Sequence, residues 1–107
     1  MKELKDASSF YSSVNKTKVV LVDFYATWCG PCKVMLNNLG KVNESLINES
    51  TDRPKYGIYK FDVDSDMQFM QELGIRSVPT IKIFKGGSEV YSKAGVMSPT
   101  EVLGLLN

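Results

Sequence analysis

Apolar and polar residues alternate along this chain at two periods, and the switches between them outline its elements. Ala7, Phe10, Tyr11 and Val14 are spaced as one face of a short helix between Asp6 and Val14. From Lys18 to Ala26 the residues after the opening lysine are β-branched, aromatic or aliphatic, interrupted by the charge of Asp23. A strand apolar on both faces belongs in the middle of a covered sheet. Met35, Leu39, Val42 and Leu46 then recur at intervals of four, three and four, which predicts a helix from Pro31 to about Ser50.

Residues 50–54 are polar and read as the longest loop. Gly57 to Asp64 alternates, with Tyr59, Phe61 and Val63 on one side and Ile58, Lys60 and Asp62 on the other, and reads as a strand. Ser65 is expected to cap a short helix carrying Met67, Met70 and Leu73 and ended by Gly74. Pro79 to Lys85 is a third strand with proline at its first position, where a missing N–H does least harm. Lys82 breaks its apolar run and predicts a partly solvated face there. Gly86-Gly87 is a two-residue hairpin signal leading into Ser88 to Lys93. Ser98-Pro99-Thr100-Glu101 combines a capping box with proline at the first helical position and opens a last helix through Val102, Leu105 and Leu106. A strand before the first helix is at best Lys2 to Leu4. The order predicts an α/β layer architecture, a β-α-β unit followed by a helix, a hairpin and a closing helix.

Length and composition narrow this further. At 107 residues, without a repeat or a Pro/Gly/Ser linker, residues 1–107 are expected to form a single domain. The 43% hydrophobic content supplies a genuine core. Lys and Arg number 13 against 12 Asp and Glu, which argues against nucleic acid or an anionic membrane as a main partner. No apolar run approaches a membrane span. The opening residues Met1 to Asp6 lack the apolar core of a secretory signal, so the expected location is cytoplasmic and reducing. The sequons at Asn15, Asn43 and Asn48 then read as chance. The chain has no histidine, which removes Ser-His-Asp and Cys-His nucleophile systems and His-ligated metal sites.

What remains for chemistry is Cys29-Gly30-Pro31-Cys32, set where the central strand hands over to the long helix. A helix N-terminus presents unpaired N–H groups and a positive dipole end, both of which favour a thiolate at Cys29. Pro31 falls in the first turn, where it costs little, and Lys33 adds positive potential. Two intervening residues bring the second sulfur close enough for a small disulfide ring. A closed zinc site would need ligands this chain does not have, and a structural disulfide across so small a loop would stabilise little. Asp23 is the second candidate. Burial in an apolar strand raises a carboxyl pKa toward neutrality, which suits a proton carrier, although a buried Asp satisfied by a backbone donor is the plainer alternative. Val78-Pro79-Thr80 is the third, because an X-Pro bond entering a strand can be cis.

Trp28-Cys29-Gly30-Pro31-Cys32-Lys33, preceded by Val22-Asp23-Phe24-Tyr25-Ala26-Thr27, resembles the thioredoxin family. So do Lys60-Phe61-Asp62-Val63-Asp64, Gly74 to Thr80, Phe84-Lys85-Gly86-Gly87 and Ala94-Gly95, in the family's order from about Lys18 to the end. The resemblance implies a thioredoxin fold, with a central mixed sheet and helices on both faces. It implies that Cys29 is the exposed attacking thiol and Cys32 the buried resolving one, and that Asp23 relays the proton that activates Cys32, with Lys60 as its charge neighbour. Trp28 would flank the disulfide, with Gly30 and Pro31 between the sulfurs. Val78, before a cis Pro79, would pair with substrate backbone, and Ala94 and Gly95 would complete the apolar docking surface.

The implied activity is general reduction of protein disulfides by thiol exchange. The resemblance implies no bound cofactor or metal, and a reversible Cys29–Cys32 disulfide that is reduced back to the dithiol by a thioredoxin reductase drawing on NADPH. Disulfide-containing proteins and that reductase are the implied partners of a monomer. An oxidase or isomerase, which usually carries a different dipeptide between its cysteines, and a binding module that does not turn over are the alternatives. Asn37 stands where the family often has a helix-kinking proline, so a straighter or looser helix is expected there.

Overall fold

The computed structural model describes residues 1–49 and 55–107. The polar loop expected at 50–54 lies outside the described residues. The elements run β1 (Lys2–Leu4), α1 (Ala7–Ser13), β2 (Val19–Tyr25), α2 (Gly30–Glu49), β3 (Tyr56–Asp62), a 3-10 turn (Val63–Ser65), α3 (Met67–Leu73), β4 (Thr80–Lys85), β5 (Ser88–Ala94) and α4 (Pro99–Leu106). Five strands form one sheet in the order β1-β3-β2-β4-β5. β3 runs parallel to both β1 and β2, while β4 runs antiparallel to β2 and β5. The sheet is therefore mixed, with β2 at its centre.

Strand alternation divides the core into two layers. Val19 and Leu21 of β2, with Ile81 and Ile83 of β4, pack against Met35, Leu39, Val42 and Leu46 of α2 and Val102 and Leu106 of α4. Val20, Val22 and Phe24 face the other way and meet Phe10, Phe69, Met70 and Phe84. Helices thus cover both faces, and every residue of β2 is buried. The four α2 residues spaced four, three and four apart are all buried, as their periodicity predicts. α2 runs unbroken through Asn37.

Local chemistry ends these elements. Gly86 and Gly87 have φ of 61° and 83°, the left-handed pair a tight two-residue hairpin demands. Both halves of the Ser98–Glu101 capping box are formed, with Pro99 opening α4. Asp6 caps α1 in the same way with Ser9.

Five expectations change. β3 stops at Asp62, and Val63 belongs to the turn that follows. The cap of α3 is Asp66, which accepts from the Phe69 amide at 3.1 Å, not Ser65. The Ser65 hydroxyl instead faces the carbonyls of Asp62 and Lys5, at 2.8 and 3.1 Å, tying the turn to the end of β1. The buried face of α3 is consequently Phe69 and Met70, leaving Met67 exposed. Tyr11, expected on the apolar face of α1, is also exposed, its ring edge-on to Phe10 and Phe69. Lys82 is buried rather than solvated: its ammonium pairs with Glu89 at 2.7 Å and lies 3.4 Å from the Ser92 hydroxyl, both on β5. The Glu89 side chain is 43% exposed, so the pair sits where the buried Lys82 stem reaches the edge of the sheet. Glu89→Ala is expected to lower stability by about 1 kcal/mol, while Lys82→Met is near neutral, as measured by urea unfolding.

Candidate active site

β2 ends at Tyr25, and Ala26 to Trp28 turn the chain so that Cys29 directly precedes the first residue of α2. The turn is closed by the Cys29 amide donating to the Ala26 carbonyl at 3.2 Å. Gly30 and Pro31 form the exposed first turn, where proline gives up no helical hydrogen bond. Cys29 and Cys32 are joined as a disulfide with Cα atoms 5.3 Å apart. The Cys32 amide, one of the N–H groups a helix start leaves free, donates to Cys29 Sγ at 3.2 Å. That donor, with the helix dipole, stabilises negative charge on the same sulfur once the disulfide opens. Cys32 is wholly enclosed and Cys29 is 6% exposed, so the thiol expected to be open to solvent is largely covered in the disulfide form. Tyr25 and Ala26 pack with the two sulfurs, and Leu36, Val63 and Val78 close around them.

The loop before β4 reaches the same point. The Val78–Pro79 peptide bond is cis, and the Val78 carbonyl oxygen lies 3.8 Å from Cys29 Sγ. Pro79 is buried and accepts from the Gly95 amide at 2.8 Å, while Ala94 pairs with Thr80 across the β4–β5 ladder. Cys29, Val78, Pro79 and Gly95 therefore share one rim, with Ala94 and Gly95 on its exposed side. Trp28 stands out from the surface, 71% exposed, yet its indole N–H donates to Asp64 at 2.9 Å. Asp64 is a site residue that the sequence did not single out. An indole N–H calls for an acceptor, but nothing in the chain order says that the 3-10 turn after β3 supplies it.

Two residues before Tyr25, Asp23 continues the face of β2 that α2 covers. It is completely buried, and among the described residues neither carboxylate oxygen has a hydrogen-bond partner. Burial pushes its pKa up to about 7. Lys60 is its register partner on β3. The ammonium makes no hydrogen bond to that carboxylate; it lies 5.7 Å from the centre of the Tyr25 ring. Tyr25 in turn donates its hydroxyl to Glu3 of β1, itself opposite Lys60. Burial, together with the Glu3 carboxylate, raises the Tyr25 hydroxyl far above the ordinary phenol range. Glu3, Lys60 and Asp23 thus form one row across three strands. Only Asp23 and Lys60 are apparent as candidates in the sequence, because the row depends on β1 pairing with β3.

Among the described residues no group of His, Cys, Asp and Glu is arranged to hold a metal ion, and no helix is long and apolar enough to cross a membrane. A cysteine pair one helical turn apart at a helix start, beside an exposed backbone rim, defines a dithiol–disulfide oxidoreductase.

A family model described as Thioredoxin matches residues 1–106. A thioredoxin from Malassezia sympodialis is 46% identical over 78 residues, 73% of this chain and 70% of that one. A bifunctional thioredoxin reductase/thioredoxin from Mycobacterium leprae is 36% identical over 101 residues, 94% of this chain and 21% of that one. The solution structure of oxidised thioredoxin from Plasmodium falciparum is similar with a TM-score of 0.80 and 29% identity, covering 99% of this chain and 94% of that one. The chain belongs to the thioredoxin family. It is a protein-disulfide oxidoreductase that exchanges a dithiol for a disulfide, and its redox centre is the cysteine pair itself.

The Asp23 carboxyl carries a stability cost whose sign is fixed. Its folded pKa of about 7 lies above the ordinary 3.8, so between those values the folded chain binds more protons than the unfolded one. Stability therefore falls as pH rises from about 4 to about 7, by up to about 4 kcal/mol. Asp23→Asn is expected to stabilise the protein at pH 8 and to remove this decline, as read from urea unfolding at pH 5 and pH 8.

Proposed function

We propose that this protein is a general reductant of protein disulfides in which Cys29 attacks and Cys32 resolves. The observation that carries the reading is the placement of Cys29 Sγ, beside the Cys32 amide and 3.8 Å from the Val78 carbonyl. The Cys29 thiolate attacks one sulfur of a substrate disulfide, that bond breaks, and the other substrate sulfur leaves as a thiolate that takes up a proton. Asp23 accepts the proton of the Cys32 thiol. The Cys32 thiolate then attacks Cys29 Sγ, the mixed disulfide breaks, and the second substrate thiolate leaves. Two electrons have passed to the substrate, and the Cys29–Cys32 disulfide has formed.

Lys60 stands beside Asp23 as the positive charge that favours its ionised form. Trp28 flanks the exchanging sulfurs, Gly30 and Pro31 shape the turn between them, and Val78 offers its backbone to the substrate strand. Pro79, Ala94 and Gly95 complete the docking rim. We assign regeneration to a thioredoxin reductase supplied by NADPH. Support comes from the Mycobacterium leprae relative, whose name joins a reductase and a thioredoxin in one chain. We take the protein as a single-domain monomer of residues 1–107 acting in the cytoplasm on disulfide-containing proteins, with no nucleic acid or membrane partner.

Insulin reduction tests the roles of the two sulfurs. Cys29→Ser is expected to abolish turnover, and Cys32→Ser to accumulate a mixed disulfide with the insulin chain, visible by mass spectrometry. Normal turnover by Cys32→Ser would overturn the two-thiol mechanism. The proton role of Asp23 has its own signature. Because Asp23 accepts a proton only when ionised, mixed-disulfide resolution should accelerate as pH rises through about 7. Asp23→Asn should slow that step and flatten the rise, as followed by rapid quench.

A further inference from the structure

We infer that Met35 and Asn38 are positioning residues that lock the Gly95–Met97 segment to the helix carrying the cysteines, and so set how a protein substrate docks. The inference rests on the reading above that Gly95 belongs to the docking rim. The segment joins β5 to α4 and has no ladder or helix of its own to hold it. Its backbone groups must then find partners elsewhere, and the partners are specific. The Gly95 amide goes to Pro79 at 2.8 Å. The Met97 amide donates to Met35 Sδ at 3.3 Å, and the Met97 carbonyl accepts from Asn38 Nδ2 at 2.9 Å. Ser98, the next residue, is fixed as the cap of α4.

Both bonds to Met97 come from α2, and both come from side chains that helical packing alone does not require. Met35 and Met97 are buried, at 0% and 3% exposure, so the Met97 amide has no water as a substitute, while its carbonyl bond to Asn38 is partly buried. A thioether is a weak acceptor, and its use for a buried amide leaves that N–H dependent on one sulfur. Cys32, Met35 and Asn38 succeed one another at intervals of three, the spacing of neighbours along a helix. One rigid element therefore fixes the sulfurs at its start and, one and two turns later, the far side of the rim. Between the two anchored residues, Val96 is left 45% exposed, an apolar side chain presented beside Gly95 on a backbone that is held at both ends. Small displacement of such a segment costs productive alignment of a protein disulfide without changing the sulfurs themselves.

The test separates docking from chemistry. Asn38→Leu keeps the size of the side chain but cannot donate, and Met35→Leu keeps the packing but cannot accept. With insulin as substrate, Asn38→Leu is expected to raise KM about fivefold with kcat little changed. The rate with cystine, which is too small to reach the segment, and the reduction potential of the cysteine pair should stay as in the wild type. Hydrogen exchange at the Met97 amide should quicken about tenfold in each variant, while the Val102 amide within α4 keeps its rate. An unchanged Met97 amide in both variants overturns the clamp. Faster exchange with an unchanged insulin KM, or insulin and cystine rates falling together, overturns the positioning role. Failure of the wild type to show any saturation by insulin would overturn the docking reading beneath it, and is distinguishable because Met97 exchange is measured without substrate.

Discussion

β2 is hydrogen-bonded to β3 on one side and to β4 on the other, and helices press on both of its faces, so all seven of its residues are buried. That confinement fixes the direction in which the chain leaves the sheet. Ala26 to Trp28 have only a short turn in which to reach α2, and the long apolar stripe of α2 holds the helix against the same sheet. The start of α2 is therefore delivered to the end of β2, where its unpaired amides meet the cysteine that precedes it. The sulfur chemistry needs no cofactor because backbone geometry at this junction supplies the charge stabilisation.

The same confinement explains Asp23. A carboxylate in the middle of a buried strand costs stability when ionised, and nothing in its surroundings offers a hydrogen bond to offset that cost. A plain structural role would call for a donor within reach of at least one oxygen. Among the described residues none supplies that donor, so the proton affinity of Asp23 is set by burial and sits near neutrality, which is the affinity the proposed proton exchange with Cys32 would use. In register, Lys60 stands between Glu3 on β1 and Asp23 on β2, and its ammonium lies 5.7 Å from the centre of the Tyr25 ring.

Elements written in local chemistry were legible in the sequence. The α2 stripe, the Gly86-Gly87 turn and the Ser98–Glu101 box each depend on residues a few positions apart, and each stands where the pattern put it. The cysteine pair and the burial of Asp23 were legible for the same reason, being written in the residues immediately around the β2–α2 junction. The α3 cap was not, because Ser65 and Asp66 are both competent and the choice is made by the Lys5 carbonyl of a distant segment. Lys82 looked solvated because its partners lie on β5, across a register that one strand cannot reveal. Asp64, Glu3 and Asn38 share that property: each acts on a residue more than twenty positions away.

These long-range contacts have a common destination. Trp28 is held by Asp64 on one side of the sulfurs, Val78 and Pro79 approach from the loop before β4, and Gly95 is tied to Pro79. The segment through Met97 is tied in turn to α2. The rim around Cys29 is thus assembled from four separate parts of the chain, each fixed by one or two hydrogen bonds rather than by regular secondary structure. An apolar and backbone-lined surface of this kind reads the extended shape of a polypeptide more than its charge. It suits a chain whose charges nearly cancel, 13 basic against 12 acidic, since no strong field then favours one class of protein over another. If the rim docks substrate as proposed above, selectivity comes from how well a substrate strand fits between fixed points, and the rigidity of those points becomes the quantity on which recognition depends.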